Sequence, residues 1–263
     1  MPELPEVEYA TRIARDAVAG KVIARVRALH PSPRRVLPDA TADTLTGDRV
    51  VDVVRRGKHQ LLLLASGRTL HVHFRMTGDW RVGRATEAPE RFSRVVVDLV
   101  DGTRLALHDS RALAVVTLHP VGSDPLPELG PEATADSFNA TWLAERLAGR
   151  RGAIKPALLD QRLVAGIGNI YASEALWNAR VNPSRAAGRL SAARLAAVTA
   201  GVKRTMRRAL LHPERYYGSL GIPDSVRFNV YDREGKGCRR CGTPIRRIVQ
   251  AGRSTYYCPH CQR

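Results

Sequence analysis

The sequence predicts an α+β, multidomain chain: an N-terminal β domain led by a helix, a helical domain, and a small cysteine-bearing module. Three observations predict it. Short β-type runs crowd residues 22–119, helix-type periodicity dominates residues 137–211, and every cysteine lies at or beyond position 238.

At 263 residues, 44% of them hydrophobic, the chain can bury a core and has room for one large or two modest domains. No apolar run approaches the roughly 18 residues of a membrane span. The first residues are acidic, so no secretory signal is visible and a cytoplasmic location is expected. Lys plus Arg number 42 against 25 Asp plus Glu, a net charge of +17. Such an excess costs self-repulsion and fits a polyanion partner. The preponderance of arginine suits bidentate phosphate contacts, although a GC-rich genome gives the same bias. No basic amphipathic helix stands out, which favours nucleic acid over a membrane surface and places the chain at the nucleoid.

Residues 3–19 read as a helix, with Val7, Ala10, Ala14, Ala17 and Val18 near helical spacing and Gly20 as the stop. The β runs are Val22–Leu29, Arg49–Arg56, Gln60–Leu64, Thr69–Phe74, Ser93–Val100, Arg104–His108 and Leu113–His119. Asp101-Gly102 is a hairpin signal between two of them. Many short strands at close spacing imply a two-sheet sandwich or a barrel, capped by the first helix. Pro120–Pro131 is proline-rich and reads as a linker. Helices follow over Ser137–Leu147, Lys155–Asp160, Asn169–Asn178 and Ala192–Leu211, the last capped by Ser191. The expected division is 1–119, a linker at 120–131, 132–227, and 228–263.

The chain starts Met1-Pro2-Glu3-Leu4-Pro5-Glu6. Removal of an initiator methionine would leave Pro2 with a secondary α-amine, whose reference pKa of about 7.7–8.0 leaves a fraction unprotonated at neutral pH. Such an amine can attack a sugar carbon and form an iminium, with Glu3 and Glu6 flanking it. The competing reading is plain helix initiation, since proline and acids both suit a helix start.

Cys238-Arg239-Arg240-Cys241 is followed, after 16 residues, by Cys258-Pro259-His260-Cys261. Paired Cys-x2-Cys knuckles match one tetrahedral structural Zn2+ on Cys238, Cys241, Cys258 and Cys261. Two disulfides are the alternative, disfavoured in a cytosolic chain. Between the knuckles, Thr243–Gln250 and Ser254–Tyr257 form a hairpin joined by Ala251-Gly252-Arg253, which puts Arg253 at a turn as a phosphate clamp. In the helical region, Gly166 and Gly168 precede a helix that Asn169 can cap. Glycines there let backbone N–H groups approach a phosphate, with Lys155 and Asn169 alongside. A simple helix–turn–helix packing contact is the rival account.

Taken together, these blocks resemble the formamidopyrimidine-DNA glycosylase/endonuclease VIII family, on its formamidopyrimidine branch. The resemblance rests on Met1–Glu8, Arg56-Gly57-Lys58, Met76-Thr77-Gly78, Leu129-Gly130-Pro131-Glu132, Ile154–Glu174 and Gly252–Gln262, in family order across essentially the whole chain. It implies an N-terminal β-sandwich, a helix-two-turn-helix DNA-binding domain and a β-hairpin zinc finger. It also implies a bifunctional glycosylase and abasic-site lyase acting, as a monomer, on double-stranded damaged DNA, with oxidised purines favoured. Carried over by position, Pro2 is the nucleophile and Glu3 the acid–base group, with Glu6 supporting them. Lys58 and Arg253 assist β- and δ-elimination. Met76, Arg111 and Leu113 fill the gap left by the flipped nucleotide, and Arg151, Lys155 and Asn169 hold phosphates. For Met76 and Arg111 the alternatives are a core residue and a surface salt bridge.

The chain departs from the family in three places. Leu113 and Ala114 stand where phenylalanine and glycine are usual, Phe92 replaces a DNA-contacting histidine, and His212–Phe228 is a short connection where 8-oxoguanine enzymes carry a longer loop. These departures leave open an enzyme for oxidised pyrimidines or abasic sites, and a non-catalytic damaged-DNA-binding protein is the reading from another class.

Overall fold

The computed structural model describes residues 1–34, 37–216 and 228–263. The 212–228 connection falls mostly in 217–227, outside the described residues. The described chain divides into two compact units, residues 1–127 and residues 128–216 with 228–263.

The first unit opens with α1 (Leu4–Val18), whose Val7, Ala10, Ala14, Ala17 and Val18 are buried along one stripe. Gly20 follows at φ 79°, the left-handed position after a helix C-cap that glycine fills without strain. Next come β1 (Ile23–Ala28) and two short helices, α2 (Pro31–Arg34) and α3 (Asp39–Asp43). Then follow β2 (Val50–Arg56), β3 (His59–Leu64), β4 (Thr69–His73), β5 (Gly78–Arg84), β6 (Ser93–Leu99), β7 (Thr103–Asp109) and β8 (Val115–His119). They form two separate four-stranded sheets, β2-β3-β4-β8 and β1-β6-β7-β5, so the unit is a sandwich and not a barrel. Every pairing within them is antiparallel.

Alternation along the strands sends Leu62, Leu64, Leu70, Val72 and Val116 of one sheet into a single core with Val95, Val97, Leu105 and Leu107 of the other. The α1 stripe joins that core. Within it Gln60 Oε1 accepts from Trp80 Nε1 at 2.8 Å and from Thr11 Oγ1 at 3.3 Å, tying both sheets to α1. Strand β5 is absent from the sequence reading. Its Gly78-Asp79-Trp80-Arg81-Val82-Gly83-Arg84 lacks clean alternation, and it is held as an edge strand by pairing with β7 and by buried Trp80.

The second unit holds α4 (Ala140–Leu147), α5 (Ile154–Leu158), α6 (Asn169–Ala179) and α7 (Ala192–Leu211), then the hairpin β9 (Arg246–Gln250) and β10 (Arg253–Tyr257). Asn139 caps α4 by accepting from Trp142 N, and Ser191 caps α7 by accepting from Arg194 N. Helices α6 and α7 cross closely at Gly201, where an added Cβ would meet Ala175 O at 2.6 Å. The cap expected of Asn169 is not made, because Gly168 is the N-cap of α6 and the Asn169 side chain turns elsewhere.

Candidate active site

The chain start is built by reciprocal hydrogen bonding. Glu3 is the N-cap of α1, and its carboxylate and that of Glu6 form a capping box. Glu6 Oε2 accepts from Glu3 N at 2.8 Å, and Glu3 is 2% exposed. The α-amino group of Met1, one residue ahead of Pro2, has its pKa below the ordinary value. Burial is the main cause, opposed by the negative charges of Glu3 and Glu6 and reinforced by the positive charges of Lys58 and Arg111. Two carboxylates and two cations therefore act on the same amine. The helix-start reading of Pro2 and Glu3 is satisfied, since the capping box holds Glu3 and Glu6 at the start of α1.

Lys58 arrives from the β2–β3 hairpin. Arg56 pairs with His59, leaving Gly57-Lys58 as a two-residue turn. Gly57 sits at φ 60°, the conformation a tight hairpin needs at its first turn residue. The lysine is 5% exposed, and its charge acts on the Met1 amine.

Met76 and Leu113 are 40% and 42% exposed, apolar side chains left in solvent, and Arg111 is exposed as well. Neither is a core residue. Among the described residues Arg111 has no ion-pair partner. The two loops that carry these residues share one anchor, the fully buried Asp109. Its Oδ1 accepts from Thr77 Oγ1 and from Arg111 N at 3.1 Å; its Oδ2 accepts from Leu113 N at 2.6 Å and Ala114 N at 2.7 Å. Sequence reasoning missed Asp109, whose available signal was an acid closing a strand just before irregular backbone, where N–H groups need acceptors.

In the second unit, Arg253 is exposed and is the first residue of β10, paired with Gln250. The turn is Ala251-Gly252 alone, at φ 47° and 71°, because a two-residue loop matches the strand twist. Arg253 therefore leaves a strand end and not the turn. Arg151 is exposed just before α5. Lys155 is 0% exposed. Its Nζ donates to Asn169 Oδ1, to Thr255 Oγ1 at 2.7 Å and to Ser254 O at 3.3 Å. Asn169 Nδ2 also donates to Ser254 O, at 3.0 Å. The pair fastens α5 and α6 to the hairpin, a packing the linear sequence does not reveal.

A second missed anchor is Glu174 on α6, 4% exposed. It accepts from the backbone N–H of Asn229, Val230 and Tyr231 at 2.8–3.1 Å, pinning the segment that leads into the hairpin.

The four cysteine sulfurs lie within 4.8 Å of one another, which fits one tetrahedral zinc. Trp177 Nε1 and Arg240 N each donate to Cys238 Sγ at 3.4 Å, and Cys261 N donates to Cys258 Sγ at 3.4 Å. Such donors stabilise thiolates around a metal. The four cysteines form the zinc site.

Three family models match the chain: the formamidopyrimidine-DNA glycosylase N-terminal domain over residues 1–116, its H2TH domain over 129–216, and the zinc finger found in FPG and IleRS over 235–263. A formamidopyrimidine-DNA glycosylase of Roseiflexus sp. (strain RS-1) is 40% identical over 281 residues, covering all of both chains. The Lactococcus lactis enzyme, non-covalently bound to DNA containing an AP site, superposes with a TM-score of 0.90 at 30% identity over 99% of each chain. MutM in complex with DNA containing carbocyclic 8-oxo-G gives a TM-score of 0.88 at 30% identity over the whole of both. By three domain models in this order and by identity over the full length of a relative, the chain belongs to the formamidopyrimidine-DNA glycosylase family.

Proposed function

We propose that the protein removes oxidised bases from double-stranded DNA in base-excision repair and nicks the strand at the resulting abasic site, through a Schiff base on Pro2. The observation that carries this reading is the start of α1, where buried Glu3 forms a capping box with Glu6 right after Pro2 and the charges of Lys58 and Arg111 act on the Met1 amine one residue ahead of it. With Met1 removed, the Pro2 nitrogen attacks C1′ of the damaged nucleotide and the glycosidic bond breaks. Glu3 moves protons during base loss and sugar ring opening, with Glu6 holding its backbone. Lys58 assists β-elimination and Arg253 δ-elimination, each next to a phosphate that leaves.

The base must leave the stack before C1′ is reachable, and Met76, Arg111 and Leu113 fill the space it vacates. Arg151 contacts the phosphate backbone directly. Asn169 serves the same backbone from the start of α6, with buried Lys155 of α5 holding its side chain. Zinc holds the finger together and takes no part in a bond change. The working division is a catalytic part at 1–119, a helix-two-turn-helix part at 132–227 and a finger at 228–263. One chain acts as a monomer on the nucleoid and needs no membrane.

Leucine at 113 favours a second reading of the substrate, in which oxidised pyrimidines or abasic sites are preferred, because it stacks on exposed bases less well than an aromatic ring. Strand cleavage measured on duplexes carrying 8-oxoguanine opposite cytosine, an oxidised pyrimidine or an abasic site tests both. Cleavage of the 8-oxoguanine duplex supports the first reading. Cleavage confined to the other two supports the second, and none on any of them contradicts the enzyme assignment.

A further inference from the structure

We infer that Glu8 and Arg55 are positioning residues that lock the Gly57-Lys58 turn to the helix carrying the chain start. Glu8 lies on α1, and its Oε2 accepts from Arg55 Nε at 2.8 Å. Arg55 lies on β2, and its Nη1 donates onward to the carbonyl oxygen of Gly57 at 3.2 Å. One guanidinium thus joins the helix to the turn.

The turn geometry says what this connection controls. In a two-residue hairpin the central peptide plane, here Gly57 C=O to Lys58 N–H, is the part free to flip between turn types. Flipping it would carry Lys58 to positive φ, where a side chain with a Cβ is strained. The bond from Arg55 fixes the carbonyl side of that plane and so fixes the direction in which the lysine leaves the backbone. Glu8 holds Arg55 in place for this contact.

The pair is not an ordinary surface ion pair. The Arg55 and Glu8 side chains are only 13% and 23% exposed, so solvent screens them less than it would an exposed pair. Burial pushes the Glu8 pKa up, but the hydrogen bonds and charges of Arg55 and then Arg12 outweigh it, and the carboxyl stays below its usual range. The planar fork of Arg55 is what serves both contacts; lysine would keep the charge but offers no such pair of fixed donors.

This inference rests on the role proposed for Lys58. Two readouts are therefore measured on the full chain for wild type, Glu8→Gln and Arg55→Lys: single-turnover cleavage of an abasic duplex, and hydrogen exchange of the Lys58 and His59 amides. The expected result is cleavage slowed about tenfold, equivalent to ~1.4 kcal/mol of barrier, with KM and borohydride trapping retained. Faster amide exchange at the turn should accompany it, with little change in Tm. Wild-type cleavage and wild-type exchange in both variants would overturn the inference. If the wild type cleaves nothing, the role of Lys58 fails, and the exchange measurement still decides whether Glu8 and Arg55 hold the turn.

Discussion

Leu113 donates its backbone N–H to buried Asp109 at 2.6 Å, so the side chain proposed to enter the base stack stands on a carboxylate at the end of β7. The same carboxylate takes Arg111 N, Ala114 N and the Thr77 hydroxyl. Replacing it orphans several donors in a dry environment, at about 1–3 kcal/mol each where water cannot reach. Asp109→Ala should lower Tm by several degrees and reduce excision of a damaged base more than tenfold, while cleavage of a preformed abasic site falls less. Equal losses on both substrates would mean that Asp109 acts on the fold alone.

Leu113 offers a gain-of-function counterpart. Leu113→Phe places an aromatic ring where a flat side chain stacks better, worth about 1–3 kcal/mol per base by analogy with stacking platforms. It should tighten binding to a duplex containing an abasic analogue by about five- to tenfold, measured by fluorescence anisotropy. Unchanged or weaker binding would remove Leu113 from the stack-filling set.

On the sheet β2-β3-β4-β8, His59 Nδ1 meets His71 Nε2 at 2.8 Å, His71 Nδ1 meets Thr117 Oγ1 at 3.2 Å, and Thr117 Oγ1 meets His119 Nε2 at 2.8 Å. Burial, joined by neighbouring charges such as Arg75, lowers the pKa of His59 and His71 to about 4 and that of His73 to about 3. These histidines stay neutral in the fold and charge in the unfolded chain near pH 6.5, so the unfolded state binds more protons between those limits. Their contribution to stability is complete above about pH 6.5 and is lost as pH falls towards 4. Urea unfolding from pH 7.5 to 4.5 should show this decline, and His71→Gln should make it shallower. A variant that loses stability with the wild-type slope would count against the histidine chain.

The zinc site predicts a local failure. Cys258→Ser should lose the metal and release the hairpin, and with it the Ser254 and Thr255 contacts to Lys155. DNA binding should weaken, while hydrogen exchange in β1–β8 remains at wild-type level. Retained zinc and retained affinity, by metal analysis and anisotropy, would refute the assignment.

Most of this organisation was legible in the sequence, for identifiable reasons. Strands such as Thr69–His73 send every second residue, Leu70 and Val72, into the core, and α7 combines a Ser191 cap with helical periodicity, so local signals agree with the fold. Edge strand β5 was not legible, because one buried tryptophan and backbone pairing leave almost no pattern. The cysteine spacing named the metal site, and the motifs taken together named the family. What no spacing could supply were contacts between distant elements: Asp109 beneath two loops, Glu174 holding residues 229–231, Glu8 on Arg55, and Lys155 buried against the finger hairpin.

The central claim is the nucleophile. Borohydride should trap the wild-type chain covalently on an abasic duplex, and proteolysis with mass spectrometry should place the adduct on an N-terminal Pro2 lacking Met1. Extending the amino terminus by one residue should abolish trapping while leaving DNA binding intact. An adduct on Lys58 or any other lysine, or efficient trapping by the extended chain, would contradict the account.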